Sequence, residues 1–442
     1  AQRTPARRRP RTAARPTARR LPRLLHRSHA LNTITVTELA CGMPLIVEHT
    51  AAARSLGLTW LLPAGSARDP RDRLGRSAMT SELLLRGAGD RDSRQQADAF
   101  DRIGASRSAD NGARMMNVSA TLLASRLPDA LPLIVDMVRS PRMSEQSIEP
   151  VRDLCLQAIE SLADEPQQRA LYAARARHFP EPLDRTGLGT PEGINALTRD
   201  ELLEGWHALA RPVGSVLGVC GPVDAAEIAD RLNALLDGWT GSTPDVDLGP
   251  RPARGYGHET DDSNQVQIIL VHDAPPDGHE DAPLEKVLTA VLSGGMSGRL
   301  FTEVREKRAL CYSVSASYRP EKAFGSVTAY VGTSPDRAQE SLDVLRGELE
   351  RVMQTGVDRE EFDRAVVGLK SRIVFSGEST SARAAAIASD YHRIGRPRSL
   401  EEKAGEIDAV TLDRLNDYLK RRTLGRMTIQ TLGPKPLAAP AD

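Results

Sequence analysis

SGGMSGRLFTEVREKRALCYSVSASY, residues 293–318, is the stretch from which the rest of the chain is best read. Leu300, Phe301 and Val304 form an apolar stripe at helical spacing, so an amphipathic helix is predicted over 297–308. Arg299, Arg305 and Arg308 alternate with Glu303 and Glu306, the pattern of a solvated helix face. A strand is predicted over 311–319. The glycines at the start follow a predicted helix (283–293) and no G-K-[ST] follows them, so a helix–helix turn fits better than a phosphate cradle.

Working outward, a strand is predicted at 265–272, another at 324–333, helices at 335–354 and 358–373, more helices to Arg422, and a last strand in MTIQTLGP. The first half reads the same way. Strands are predicted on either side of Cys41-Gly42, at 55–65 and at 115–123. Helices are predicted at 73–86, 93–104, 127–140, 144–163, 196–209 and 224–237, with a strand in VGSVLGVCGPV. Two anchors line up between the halves at a nearly constant offset. SEQSIEPVRDLCLQAIESL from Ser144 parallels DREEFDRAVVGLKSRIVFS from Asp358, and Cys220-Gly221-Pro222 parallels Leu432-Gly433-Pro434. An offset of about half the chain implies a duplicated domain rather than a solenoid. Residues 240–263 carry Gly, Pro, Ser and Asp without periodicity and are predicted to be a linker. Strands and helices do not alternate strictly, so the expected class is α+β: two tandem domains (34–239 and 264–434), each an antiparallel-rich sheet backed by helices, then a tail at 435–442.

Formal net charge is zero, with 59 basic and 59 acidic residues. Residues 1–33 hold ten arginines and no acid, leaving a mildly acidic body that does not suggest a nucleic-acid binder. That Arg-rich segment lacks the apolar core of a secretory signal; a disordered basic tail and an organellar transit peptide both remain open. No apolar run is long enough for a membrane span. Cys41, Cys155, Cys220 and Cys311 form no C-x-x-C and sit in apolar surroundings, as buried reduced thiols do. Neither H-E-x-x-H nor H-x-x-E-H occurs among the nine histidines. His272-Asp273 with His279-Glu280 is the nearest metal-like cluster, in a Pro/Gly loop that would not preorganise ligands. No G-x-S-x-G elbow is present, and the cysteines have no nearby His.

Residues 293–318 resemble the second-domain signature of pitrilysin/insulinase-type peptidases, usually written GGGMSSRLFxExREKRGLAYSV. In that family the Arg-x6-Tyr pair contacts bound peptide and helps hold the scissile carbonyl; Arg305 and Tyr312 occupy those positions. A guanidinium and a phenol can both donate to a peptide carbonyl or its oxyanion. LGRSAMTSELLLRGAG (74–89) is similar to the family's GLAHFLEHMLFKGT. Aligned on Arg86-Gly87-Ala88, the resemblance puts Ala78 at the first zinc His, Ser81 at the catalytic Glu and Glu82 at the second His. Ala158, ahead of Asp164-Glu165-Pro166, falls at the third ligand, and RHFPEPLDRTGLGTPEGI (177–194) matches FPGHPLGRPILGTPESI and sets the register.

The resemblance implies a tandem α+β fold that closes with a second chain into a clamshell around peptide. It implies no metal site and no cofactor in this chain, with zinc in a paralogous H-x-x-E-H-bearing partner. The expected function is a non-catalytic subunit of a heterodimeric metallopeptidase, with GASRSADNG (104–112) falling where the family offers a sheet edge to extended peptides. The alternatives are a structural subunit of a larger complex and a hydrolase using His272 and His279. The pattern SGGMSGR resembles bacterial members; bacterial cytoplasm or periplasm is the favoured location, with organellar import open.

Overall fold

The structure is a computed structural model and describes residues 33–439. The expected disorder of 1–33 therefore lies, but for Thr33, outside the described residues, as does the end of the tail beyond 439.

The first half opens with β1 (Thr33–Glu38), β2 (Pro44–His49) and β3 (Ser55–Leu62). Helix α1 (Arg76–Leu84) follows, then a small ribbon of β4 (Gly87–Ala88) and β5 (Arg91–Asp92), and α2 (Ser93–Arg102). A hairpin of β6 (Ser106–Asn111) and β7 (Met116–Leu123) leads to α3 (Leu127–Arg139), α4 (Glu145–Ser161), α5 (Pro166–His178), α6 (Pro191–Ala196) and α7 (Arg199–Leu209). Strand β8 (Val216–Gly221) and α8 (Ala225–Leu235) end this half. The second half runs through β9 (Gly255–Thr260), β10 (Val266–Ala274), α9 (Ala282–Ser293), a π-helical turn (Phe301–Glu306), β11 (Cys311–Pro320) and β12 (Gly325–Thr333). It closes with α10 (Ala338–Thr355), α11 (Arg359–Gly377), α12 (Thr380–Ile394), α13 (Leu400–Asp408), α14 (Leu412–Arg421) and β13 (Thr428–Gly433). The helix starts follow local chemistry. Asp92, Thr198 and Asp358 each accept from the backbone three residues on, while Gln95, Glu201 and Glu361 reach back to the cap.

The two large sheets repeat one topology. The first has the order β1-β2-β8-β3-β7-β6 and the second, read from its far edge, β9-β13-β10-β12-β11. Parallel pairing occurs at β2/β8 and again at β9/β13; every other pair in these sheets is antiparallel. The fold is α+β with sheets backed by helices, as predicted. Among the described strands of the two sheets, β1 lacks a counterpart and extends the first sheet beyond β2.

The halves are joined by an exchange of helices. Helix α5 belongs to the first half by sequence but packs on β10 and β13, and α12 from the second half packs on β2, β3 and β8. Glycines in the strands let the helices approach: a Cβ on Gly218 would stand 2.5 Å from the Ala384 carbonyl oxygen and 2.9 Å from Ala388 Cβ. Charge ties each exchange. Arg383 Nε of α12 donates to Glu48 Oε2 at 2.8 Å with both side chains almost fully buried, and Arg169 of α5 pairs with Glu259 and Asp261.

The predicted linker (240–263) is not all linker: it contains β9, which is paired in register from Gly255/Thr428 to Thr260/Gly433. Its glycines weaken the strand signature; the ladder exists because β13 supplies it. Helix α5 also escaped the sequence reading, because its amphipathicity is low; the sheet that covers it belongs to the other half. Cys155, Cys220 and Cys311 are buried and Cys41 half-buried, all unpaired. Among the described residues no helix is long and apolar enough to cross a membrane.

Candidate functional site

Helix α1 packs against α4, and the four positions implied by the resemblance lie on these two helices. Ala78 is half-buried against the core. Ser81 is buried, and its hydroxyl donates to the Ala78 carbonyl at 2.7 Å, so it is spent on its own helix. Glu82 is close enough to α4 that its charge adds to burial in pushing the Cys155 thiol up to about 11. Ala158, one turn beyond Cys155, is exposed. A tetrahedral zinc site takes three or four N, S or O donors. Here Glu82 is the single candidate donor among the four positions, and the residues do not fit the metal. Among the described residues no group of three His, Cys, Asp or Glu converges.

His272 and His279 do not form a pair either. His272 is not on a loop but on β10, fully buried; its Nδ1 lies 2.8 Å from the Asp273 carbonyl and its Nε2 3.2 Å from Arg422, which also clasps Glu285. His279 accepts from the Asp281 N–H at 3.1 Å. Burial first, and then the Arg422 charge, push the His272 pKa down to about 4. The sign of the linkage is fixed: the unfolded chain takes up this proton near the ordinary value of 6.5, the folded chain only near 4. Stability is therefore expected to be flat above pH 6.5 with respect to this group and to fall as pH drops from 6.5 towards 4, by up to about 1.4 kcal/mol per pH unit. Urea unfolding at pH 7 and pH 5 with the wild-type chain and His272→Gln reads it; the same slope in both would refute the assignment.

The signature residues of the second half are arranged differently. In the turn at 301–306 the Lys307 N–H donates to the Thr302 carbonyl, five residues back, at 2.9 Å. Such π-turns interrupt helix regularity and recur at functional sites. Of the three arginines read as a solvated face, two are committed. Arg299, largely buried, forks onto Glu361 at 2.5 and 2.7 Å and donates to the Gly356 carbonyl. Arg308 holds Glu303 at 2.9 Å. Arg305 is exposed and lies 5.0 Å over the Phe301 ring, and its side chain has no hydrogen bond or ion pair among the described residues. Tyr312 follows at the start of β11, where the ladder with β12 shifts between Cys311 and Ser313. That bulge turns Cys311 inward and leaves Tyr312 71% exposed, its hydroxyl without a partner among the described residues. Both groups are thus available donors near one edge.

Strand edges complete the arrangement. Strand β11 is one edge of the second sheet and β6 one edge of the first. Residues 106–111, inside the segment GASRSADNG, pair with β7 on one side, and Arg107 stacks 4.4 Å over Phe100. An open ladder edge can accept the main chain of an extended peptide with little regard to its side chains.

The chain is similar to known proteins over most of its length. The family model described as "Insulinase (Peptidase family M16)" matches residues 45–190, and "Peptidase M16 inactive domain" matches 196–369. Relatives include an uncharacterized zinc protease of Streptomyces coelicolor, 27% identical over 427 residues (93% of this chain, 92% of that one). An uncharacterized zinc protease of Bacillus subtilis is 24% identical over 392 residues (86% of this chain, 93% of that one). Among solved structures, a peptidase M16 inactive domain from Pseudomonas fluorescens superposes with a TM-score of 0.83 at 20% identity, over 93% of this chain and all of that one. A Helicobacter pylori protease gives 0.80 at 15% identity, over 91% of this chain and all of that one.

Proposed function

The chain belongs to the insulinase (M16) peptidase family, and from that premise we propose that it is the non-catalytic subunit of a two-chain metallopeptidase. It closes a chamber with a paralogous chain that carries H-x-x-E-H, and it presents extended peptides to that partner. The chain itself needs no metal; zinc belongs to the partner.

One observation carries this reading: the two sets of family positions have diverged. At the first, Ala78, Ser81 and Ala158 offer no usable donor beside Glu82. At the second, Arg305 and Tyr312 are present, exposed and uncommitted. Random decay would not spare the peptide-gripping pair while removing the ligands. The open edge of β6 supports the same reading, since it can add a peptide strand without selecting its sequence. His272 and His279, each engaged separately, leave no support for a hydrolase built on that pair.

Co-expression with an H-x-x-E-H paralogue tests the proposal. Peptidase activity is expected in the purified complex and absent from this chain alone. Stoichiometric zinc and activity in the isolated chain would overturn it, as would failure of the two chains to associate.

A further inference from the structure

A cavity of about 660 Å³ lies between the two sheets, within the range of ordinary ligand sites. Its walls come from the end of β6 and the turn after it, from α5 and α12, and from the later residues of β11 and the start of β12. Among the described residues five arginines line it (Arg114, Arg175, Arg185, Arg319 and Arg393) against one acid, Glu321.

Three of those arginines are already paired: Arg114 with Asp245 at 3.1 Å, Arg185 with Glu181 at 3.2 Å and Arg393 with Asp277 at 2.9 Å. Two are not. Arg175 donates from Nε to the Leu183 carbonyl at 2.7 Å and lies over the Phe179 ring, with no carboxylate in ion-pair contact among the described residues. Burial, and then the positive charge of Arg319, lower its pKa. Arg319 is exposed on β11, and its side chain has neither hydrogen bond nor ion pair among the described residues. Two more polar atoms on the same walls, Asn111 Oδ1 and Arg114 Nε, are buried without hydrogen-bond partners. Two guanidinium groups without an ion-pair partner among the described residues, facing one partly desolvated space, repel each other, and an anion between them relieves both costs.

The shape indicates which anion. Asn111 is the last residue of β6, and Ser317 and Arg319 belong to β11, so one edge strand of each sheet leads to this cavity. We infer that the cavity is an acidic subsite, in which Arg175 and Arg319 bind a carboxylate of an extended peptide held at a neighbouring strand edge. The inference rests on the peptide-binding reading above and adds a substrate class to it: peptides with Asp or Glu side chains, or with a free C-terminal carboxylate, are preferred over neutral ones.

The test is fluorescence-anisotropy binding of short labelled peptides to the full chain in complex with its H-x-x-E-H partner. The peptides are an acidic sequence with an amidated end, its Gln/Asn counterpart with a free end, and the same counterpart amidated. The neutral amidated peptide is expected to bind about tenfold more weakly than whichever carboxylate-bearing peptide the site takes. A gain from the acidic sequence assigns side-chain carboxylates; a gain from the free end assigns the terminus. Arg319→Gln, on an exposed side chain with no partner among the described residues, should fold normally and abolish the preference, and Arg175→Gln should do the same. Equal binding of all three peptides, or a preference untouched by both variants, overturns the acidic subsite while leaving peptide binding intact. Absence of binding by every peptide overturns the peptide-binding reading itself.

Discussion

Glu48→Ala is expected to destabilise the chain by about 3–5 kcal/mol, the cost of leaving a buried charge without its partner. Glu48 sits on β2 of the first sheet and Arg383 on α12, contributed by the second half. Their side chains are 1% and 2% exposed, and Arg383 donates from both Nε (2.8 Å) and Nη2 (2.5 Å) to the same carboxylate oxygen. Removing the acid leaves the guanidinium with the Arg398 carbonyl at 3.2 Å as an acceptor, in a site closed to water. The loss should appear in urea unfolding as a lower midpoint with little change in slope. Replacing both partners together, Glu48→Leu with Arg383→Met, should recover most of it, because neither charge then needs to be desolvated. An unchanged midpoint in Glu48→Ala would mean that the exchanged helix is held by apolar contact alone. Ile387 and Ala388 of α12, buried against Ile46, Leu61 and Val216, would be the contacts responsible.

The second large effect is on turnover. In the complex with an H-x-x-E-H partner, Arg305→Ala is expected to lower kcat by about 100-fold, the scale for losing one donor to a developing oxyanion. Tyr312→Phe removes a second donor of the same kind and should act in the same direction. Neither change should disturb folding: the Arg305 guanidinium lies over the Phe301 ring and Tyr312 is exposed, so each costs at most about 1 kcal/mol. Gel filtration should show an intact heterodimer with both variants. Undiminished turnover in both would remove the role assigned to the pair.

Much of the fold was legible from spacing. The helices beginning at Ser93, Arg199 and Arg359 carry their capping boxes in the sequence, and the duplication shows in two anchors that the sheet orders then repeat. Where reading failed, the missing information lay far along the chain. Gly255–Thr260 looks like linker because its glycines carry no strand preference; its ladder partner, Thr428–Gly433, is the last strand of the chain. Arg299, Arg305 and Arg308 are indistinguishable by spacing, yet Glu361 takes the first and Glu303 the third, leaving Arg305 without an ion pair among the described residues. His272 resembled a loop ligand until β10 buried it against Arg422, at the far end of the second half.

The sequence by itself therefore determined most of the element types and the doubled α+β arrangement, since each depends on neighbours within a turn or two or on a motif matched in register. Only the tertiary structure decided which helix covers which sheet, which arginine remains free, and that two strand edges meet at one basic cavity. Those outcomes depend on pairings between groups far apart in the chain, such as Arg299 with Glu361 and Arg383 with Glu48. Local period carries no record of such pairs, because a long side chain is committed by whichever partner the packing brings within reach.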